Sequence, residues 1–259
     1  MRPIPVLAYH SISDDPPSWI APFTVRVRDF HEQLARVQAG GYTTLTVAQL
    51  TGGDPVPERA VVITFDDGFA DLLGVAAPAL AAREMTATAY LTTGALGPVS
   101  RSLLPPAPMV RLDQAVALEE HGLEIGAHTL THPQLDSVPL ATARREIAEP
   151  RKVLEDTLGH PVTGFAYPHG YNSHAVRRLV REAGYLSACA VKNALSSPAD
   201  DRFQIARLTL MSTTTPAEFS RWLAGEGARV APFPERLVTK GWRAYRRGRA
   251  LLRRLDKAS

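Results

Sequence analysis

The chain has 259 residues, 45% hydrophobic and 21% charged, the usage of an ordinary globular protein, which excludes a disordered or fibrous chain. This length suits one large domain, or one domain with an appendage. The longest nearly uncharged apolar stretch, Gly74 to Ala82, contains Pro78 and is about half of what spans a bilayer. The opening Met-Arg-Pro-Ile-Pro-Val-Leu-Ala-Tyr-His lacks the apolar core and cleavage site of a signal peptide. The single cysteine, Cys189, suits a reducing compartment. The expectation is a cytoplasmic protein.

The net charge of +3 is unevenly spread. From Arg236 to Ser259 there are nine Lys/Arg and one acid, Asp256, so the last residues are strongly basic and the rest of the chain is acidic. A chain that reads nucleic acid carries its positive charge on the folded domain, so no nucleic-acid partner is expected. The pattern divides the chain into a domain over 1–230 and a basic amphipathic C-terminal tail over 231–259.

Along the body, short β-rich apolar runs alternate with amphipathic stretches. Strands are predicted over 4–9, Ala60–Phe65, 86–91, Leu123–Ala127, 162–166, 185–191 and 203–210. Helices are predicted over 28–38, 71–83, 112–121, Leu140–Leu158, 173–183 and 216–224. This alternation implies an α/β fold with a parallel sheet and right-handed crossovers. About seven such units predict a distorted (β/α) barrel rather than an open sheet. Two long loops, 11–24 and 93–108, are either surface connections or the rim of a cleft, where Trp19 would offer a sugar-stacking face.

Chemistry concentrates at the predicted strand ends, where parallel β/α folds place their sites. Thr64-Phe65-Asp66-Asp67-Gly68 sets two carboxylates side by side, and Gly68 permits a turn that lets them converge. Adjacent carboxylates repel unless a positive group lies beside them. A divalent metal would supply it, with one Asp as ligand and the other taking a proton from water; a helix N-cap is the competing explanation. His128-Thr-Leu-Thr-His132-Pro133 has the i, i+4 spacing that lets two imidazoles of a helical turn reach one metal. In Ala166-Tyr167-Pro168-His169-Gly170, the Pro and Gly stiffen a loop whose backbone N–H groups could hold an oxyanion. Leu7-Ala8-Tyr9-His10 ends the first strand on the same face.

In this order the motifs resemble those of the polysaccharide deacetylases, carbohydrate esterase family 4 with its NodB-homology domain, over roughly residues 1–225. The resemblance implies a metal-dependent hydrolase that removes N-acetyl groups from amino sugars. It assigns Asp66 as catalytic base and Asp67, His128 and His132 as metal ligands, with Tyr167, Pro168 and His169 lining the groove and a backbone N–H near His169 assisting the oxyanion. Zinc suits the ligand set, and cobalt, nickel or manganese could bind. The Arg expected in the third motif is Ala166; Arg207, at a predicted strand end, could replace it in space, but is read first as a surface or structural arginine. No Asp-containing fourth motif is clear near 188–200, and Leu208-Thr-Leu-Met211 lacks the histidine of the fifth. A family branch resembling the poly-N-acetylglucosamine deacetylases carries Tyr-His at its N-terminus instead, which makes His10 the candidate general acid, helped by any nearby carboxylate, with His169 as its competitor.

The implied substrate is an acetamido sugar in a glycan, lipid-linked or nucleotide-linked intermediate. Deformylation, O-acetyl ester cleavage and a catalytically silent carbohydrate-binding domain are the alternatives. On a helical wheel Val238, Trp242, Tyr245, Leu252 and Leu255 fall on one side of the tail. Lys240, Arg243, Arg246, Arg247, Arg253, Arg254 and Lys257 fall on the other, Arg249 being the exception. Such a helix either packs its apolar stripe on the barrel or lies on an anionic membrane surface.

Overall fold

The computed structural model describes residues 3–234 and 237–255. Its main sheet holds eight parallel strands: β1 (Val6–Tyr9), β2 (Thr43–Leu45), β3 (Ala60–Phe65), β4 (Ala87–Leu91), β5 (Leu123–Ala127), β6 (Gly164–Ala166), β7 (Ser187–Cys189) and β8 (Leu208–Thr209). The spatial order is β8-β1-β3-β4-β5-β6-β7, while β2 pairs with the first half of β3. A parallel bridge from Cys189 to Ile205 brings the approach to β8 against β7, and Leu208 then pairs with Leu7. One late segment therefore touches both ends of the sheet and curls it into the distorted (β/α) barrel expected from the sequence.

Side-chain alternation along the strands sorts two buried layers. Val6, Val62, Tyr90, Ala166, Cys189 and Ile205, drawn from strands all round the sheet, form the cluster inside the barrel. Leu7, Tyr9, Val61, Ile63 and Phe65 face outward and join the larger core under the helices. On that side α1 (Val27–Ala39) buries Phe30, Leu34 and Val37, the i, i+4, i+7 stripe of an amphipathic helix. Phe30 meets Tyr9 edge-on with ring centroids 5.4 Å apart.

The remaining helices are α2 (Val47–Thr51), α3 (Ala77–Ala81), α4 (Ala115–Glu120), α5 (Leu140–Leu158), α6 (His174–Glu182), α7 (Pro216–Leu223) and α8 (Leu237–Leu255). The helix predicted over 71–83 is instead a π-helical turn, Leu72–Ala76, leading into α3. Pro78 supplies no N–H to the preceding turn, and the wider π turn absorbs the loss. The predicted strand over 203–210 contracts to β8 plus the Ile205 bridge. Strand β2 and helix α2 are too short for a hydrophobic period to show.

Arg229–Val230 pairs with Ala194–Leu195, so the body holds together up to that point. Beyond it α8 returns to the C-terminal mouth of the barrel. Lys257 of the tail lies outside the described residues, and the side chains of Val238, Lys240, Leu252, Arg253, Arg254 and Leu255 lie outside the described side chains. No described helix is long and apolar enough to cross a membrane.

Candidate active site

The first motif leaves β3 through a left-handed turn. Asp66 N–H donates to the Tyr9 carbonyl at 2.9 Å, continuing the strand. Asp67 then takes φ 73° and Gly68 φ 95°, conformations that Asp tolerates and Gly adopts freely. Asp66 and Asp67 are both about 3% exposed. The turn brings Asp66 Oδ2 to 3.9 Å and Asp67 Oδ1 to 3.5 Å from His128 Nε2.

The second motif is a loop, where a helical turn was expected. Thr129 and His132 have φ of 69° and 64°, so the two imidazoles converge through left-handed kinks. A buried carboxylate on α5 moulds this loop. Glu146 accepts from the Thr131 N–H and from its hydroxyl, both at 2.7 Å, while its backbone carbonyl takes the Leu130 N–H at 3.1 Å. His132 Nε2 ends 3.2 Å from Asp67 Oδ1, and the His128 and His132 rings lie 5.0 Å apart.

The donor atoms of Asp67, His128 and His132 all fall within 4.8 Å of one another. Burial pushes His128 down to about 4, with the Asp66 charge opposing that shift, so the ring is neutral. Its Nδ1–H donates to the Ala166 carbonyl at 2.8 Å, which leaves the Nε2 lone pair facing the cluster. Asp67 Oδ1 is buried and accepts no well-directed hydrogen bond. Burial disfavours the Asp67 charge, yet the adjacent His132 holds its carboxyl far below the usual range. A carboxylate oxygen and an imidazole lone pair facing each other fit a cation.

Arg207 takes the role that the sequence reading put second, the replacement in space for the missing arginine. It is fully buried, not a surface group. Its guanidinium bonds Asp66 through both nitrogens, at 2.6 and 2.7 Å, and also donates to Thr64 Oγ1 at 3.0 Å and the Ala190 carbonyl at 3.1 Å. Burial alone would raise the Asp66 pKa; the Arg207 charge and its hydrogen bonds overcome that and keep it below the usual range. Alternation explains the meeting. Thr64 and Asp66 stand above Val62 on the inner face of the barrel, and Arg207 stands above Ile205.

The third motif turns through Pro168–Gly170, with His169 at φ 57° and Gly170 at φ 71°. A Cβ at Gly170 would run into the backbone of Val191, so this position requires glycine. Tyr167 is fully buried and donates to the Phe203 carbonyl at 3.1 Å, and Pro168 is also buried. These two side chains support the loop from below, whereas His169 and Tyr171 line the cleft. Gly170 and Tyr171 use their N–H groups within the turn. Burial and the nearby His132 push His169 down to about 4, and the two rings lie 4.8 Å apart.

His10 lines the same cleft, its ring 5.4 Å from that of Phe23. Its Nδ1 is buried without a hydrogen-bond partner. The cleft, about 1070 Å³, is also lined by Trp19, Phe23, Leu103, Leu104 and Pro105. Both long loops therefore form its rim.

The far wall comes from the tail. Trp242, Tyr245, Arg246, Arg249 and Ala250 of α8 line the cleft. Arg246, placed on the outer side by the helical wheel, is the buried anchor. It bonds both oxygens of Asp136 at 2.9 Å, and its guanidinium carbon lies 3.4 Å from the centre of the Tyr171 ring. Arg247 Nε donates to the Asp136 carbonyl at 3.0 Å. Asp136 follows the second motif and Tyr171 the third, so α8 is fastened to the two loops that carry His132 and His169. Nothing in the local sequence of the tail pointed to Asp136; a lone acid in the loop just before α5 was the available signal.

Comparisons with known proteins agree with this geometry. YxkH of Bacillus subtilis (strain 168), which bears the polysaccharide deacetylase name, is 23% identical over 224 residues, 85% of this chain and 76% of that protein. The poly-beta-1,6-N-acetyl-D-glucosamine N-deacetylase of Escherichia coli (strain K12) is 36% identical over 67 residues, 24% of this chain and 10% of that protein. Among solved structures, the deacetylase PplD of Streptococcus pyogenes in complex with acetate superposes with a TM-score of 0.75 at 22% identity, covering 85% of this chain and 98% of that one. IcaB of Ammonifex degensii superposes at 0.72 with 20% identity, covering 87% and 97%. These two show a shared fold. The model of the polysaccharide deacetylase family matches residues 53–188, a span that holds all three central motifs, and the chain belongs to that family.

Proposed function

We propose that the protein is a metal-dependent hydrolase that removes N-acetyl groups from an acetamido sugar. The observation that carries this reading is the pairing of two differently treated aspartates at one cleft. Asp67 Oδ1 is buried without a well-directed hydrogen bond, 3.2 Å from one imidazole and 3.5 Å from the other, while Asp66, one residue earlier, is clamped by Arg207. A binding module has no need of such a division.

In this reading Asp67, His128 and His132 hold a divalent cation, zinc being the metal best suited to one carboxylate and two imidazoles. The cation supplies Lewis acidity toward the acetamide carbonyl and a water. Asp66 accepts the proton of the attacking water, and its two bonds to Arg207 fix the carboxylate plane for that transfer. The His169 backbone N–H steadies the developing oxyanion. His10, on the opposite wall, donates a proton to the departing amine, which is a poor leaving group when unprotonated. The glycan, lipid-linked or nucleotide-linked context of the sugar, and a cytoplasmic site of action, are part of the same proposal.

The test is acetate release from N-acetylglucosamine oligomers by metal-loaded protein, beside matched formamido and O-acetyl substrates. Acetate from the amide, abolished in Asp66→Asn, supports the reading. Preference for the formamide or the ester reassigns the substrate, and inactivity of fully metal-loaded protein on all three overturns it.

A further inference from the structure

We propose that α8 builds a second sugar-binding subsite, which takes the ring next to the reacting acetamido sugar and makes the enzyme selective for an oligosaccharide over a single sugar. This rests on the deacetylase reading above and deepens it. The helix lies outside the residues matched by the family model.

The case begins with a row of rings. His128 and His132 are 5.0 Å apart, His132 and His169 4.8 Å, and His169 and Tyr171 5.7 Å. Trp242 Nε1 then donates to Tyr171 Oη at 3.4 Å, and Trp242 stacks on Tyr245 at 5.3 Å with an angle of 26° between planes. The row runs unbroken from the candidate metal ligands to the helix, along one cleft.

Its outer end is open. Trp242 is 52% and Tyr245 54% exposed, an unusual state for large aromatic groups on a docked helix. The apolar C–H face of a sugar ring matches such a platform, and the indole and phenol keep polar edges for ring hydroxyls. Arg249, on the same face, adds donors at the cleft margin. The platform is held in place, since Arg246 is buried against Asp136 and Tyr171. A preformed surface binds without the cost of ordering it. At about 1070 Å³ the cleft exceeds what one small ligand fills.

The experiment uses full-length, metal-loaded protein and β-linked N-acetylglucosamine oligomers of one to four residues, with 4-nitrophenyl acetate as a small acyl substrate. In the wild type the specificity constant should climb steeply from one ring to two. In Trp242→Ala the ratio of dimer to 4-nitrophenyl acetate specificity constants should fall about tenfold, the scale of losing one apolar substrate contact. The loss should appear in KM rather than kcat, and Trp242→Phe should recover most of it. Binding of the trimer to Asp66→Asn, followed by calorimetry, should weaken by the same factor when Trp242→Ala is added. That arm separates the two ideas: trimer binding that depends on Trp242, beside a metal-loaded wild type that releases no acetate, keeps the subsite and sinks the deacetylase. An unchanged ratio with unchanged binding overturns the subsite. So does a Trp242→Ala variant altered only in sedimentation with anionic phosphatidylserine vesicles, which would assign the aromatic pair to a membrane surface.

Discussion

Two buried arginine–aspartate pairs lie beside one cleft, one inside the barrel and one under the wall that the tail supplies, and they do different things. Arg207 grips Asp66 at 2.6 and 2.7 Å, and Arg246 grips Asp136 at 2.9 Å on both oxygens. Each joins a late arginine to an early aspartate. Around Arg207 the spare donors are taken by Thr64 and Ala190, inside a barrel of short parallel strands. Arg246 rides on a helix with its Nε left unbonded. A buried ion pair is weak evidence for stability, because desolvation offsets much of the attraction. What such pairs supply is position. The first fixes a carboxylate for proton transfer; the second fixes a wall for a substrate.

The difference is sharpest in activity. Asp66→Asn should lower turnover by at least about 10²–10⁴-fold, the scale of acid–base catalysis, with metal content by atomic absorption unchanged. Asp67→Ala, His128→Ala or His132→Ala should lose metal and turnover together. Asp136→Asn should lose far less turnover, and equal losses at Asp66 and Asp136 would break the distinction. His10→Ala should fall by about 10²–10⁴-fold at full metal occupancy if it serves as the acid. Full activity there would pass the role to His169 or solvent.

Next comes stability. Arg207→Met strands a buried carboxylate and should cost about 3–5 kcal/mol in a urea titration. The pH dependence gives a second readout with a definite sign. Asp66 is held below the usual carboxylate range, so its stabilising charge is in place above the unfolded pKa and is lost as pH falls through the lowered one. Without Arg207, burial acts alone and raises that pKa, so the acid limb of kcat/KM should move to higher pH. A limb that stays put would show that Arg207 does not set the charge of Asp66. The smallest effect is expected at the tail. Arg246→Met should cost about 1.5–3 kcal/mol, the range for hydrogen bonds to a charged group, because α8 can swing away and let water reach Asp136. Limited proteolysis should then cut near residue 235 without touching the barrel.

Much of this was readable from residues alone, for stated reasons. Strand β3 is a six-residue buried run whose end carries Asp66 and Asp67, and β5 delivers His128 in the same way. Local pattern was enough there. The His128–His132 spacing suggested two rings that meet, as they do, but the wrong backbone, since a helical period cannot reveal two left-handed residues moulded by Glu146 from the next helix. Arg207 stood second as the partner of Asp66 because its meaning depends on which face it shares with Ile205, and on a barrel closing to bring that face against Asp66. Arg246 was misplaced because a helical wheel treats charge as solvent-facing and cannot see an acid on another loop.

The closure of the barrel has a consequence for the order in which a growing chain becomes a competent catalyst. Strand β1, among the first residues made, stays open on one edge until Leu208 arrives to pair with Leu7. Contacts so distant in sequence form late and slowly. Arg207 travels on that same closing segment, so the ribosome releases Asp66, Asp67, His128 and His132 long before the counter-charge of the first aspartate exists. A chain stopped before that segment carries the proposed base without the guanidinium that orients it, so the proton transfer assigned to Asp66 waits on the strand that closes the barrel.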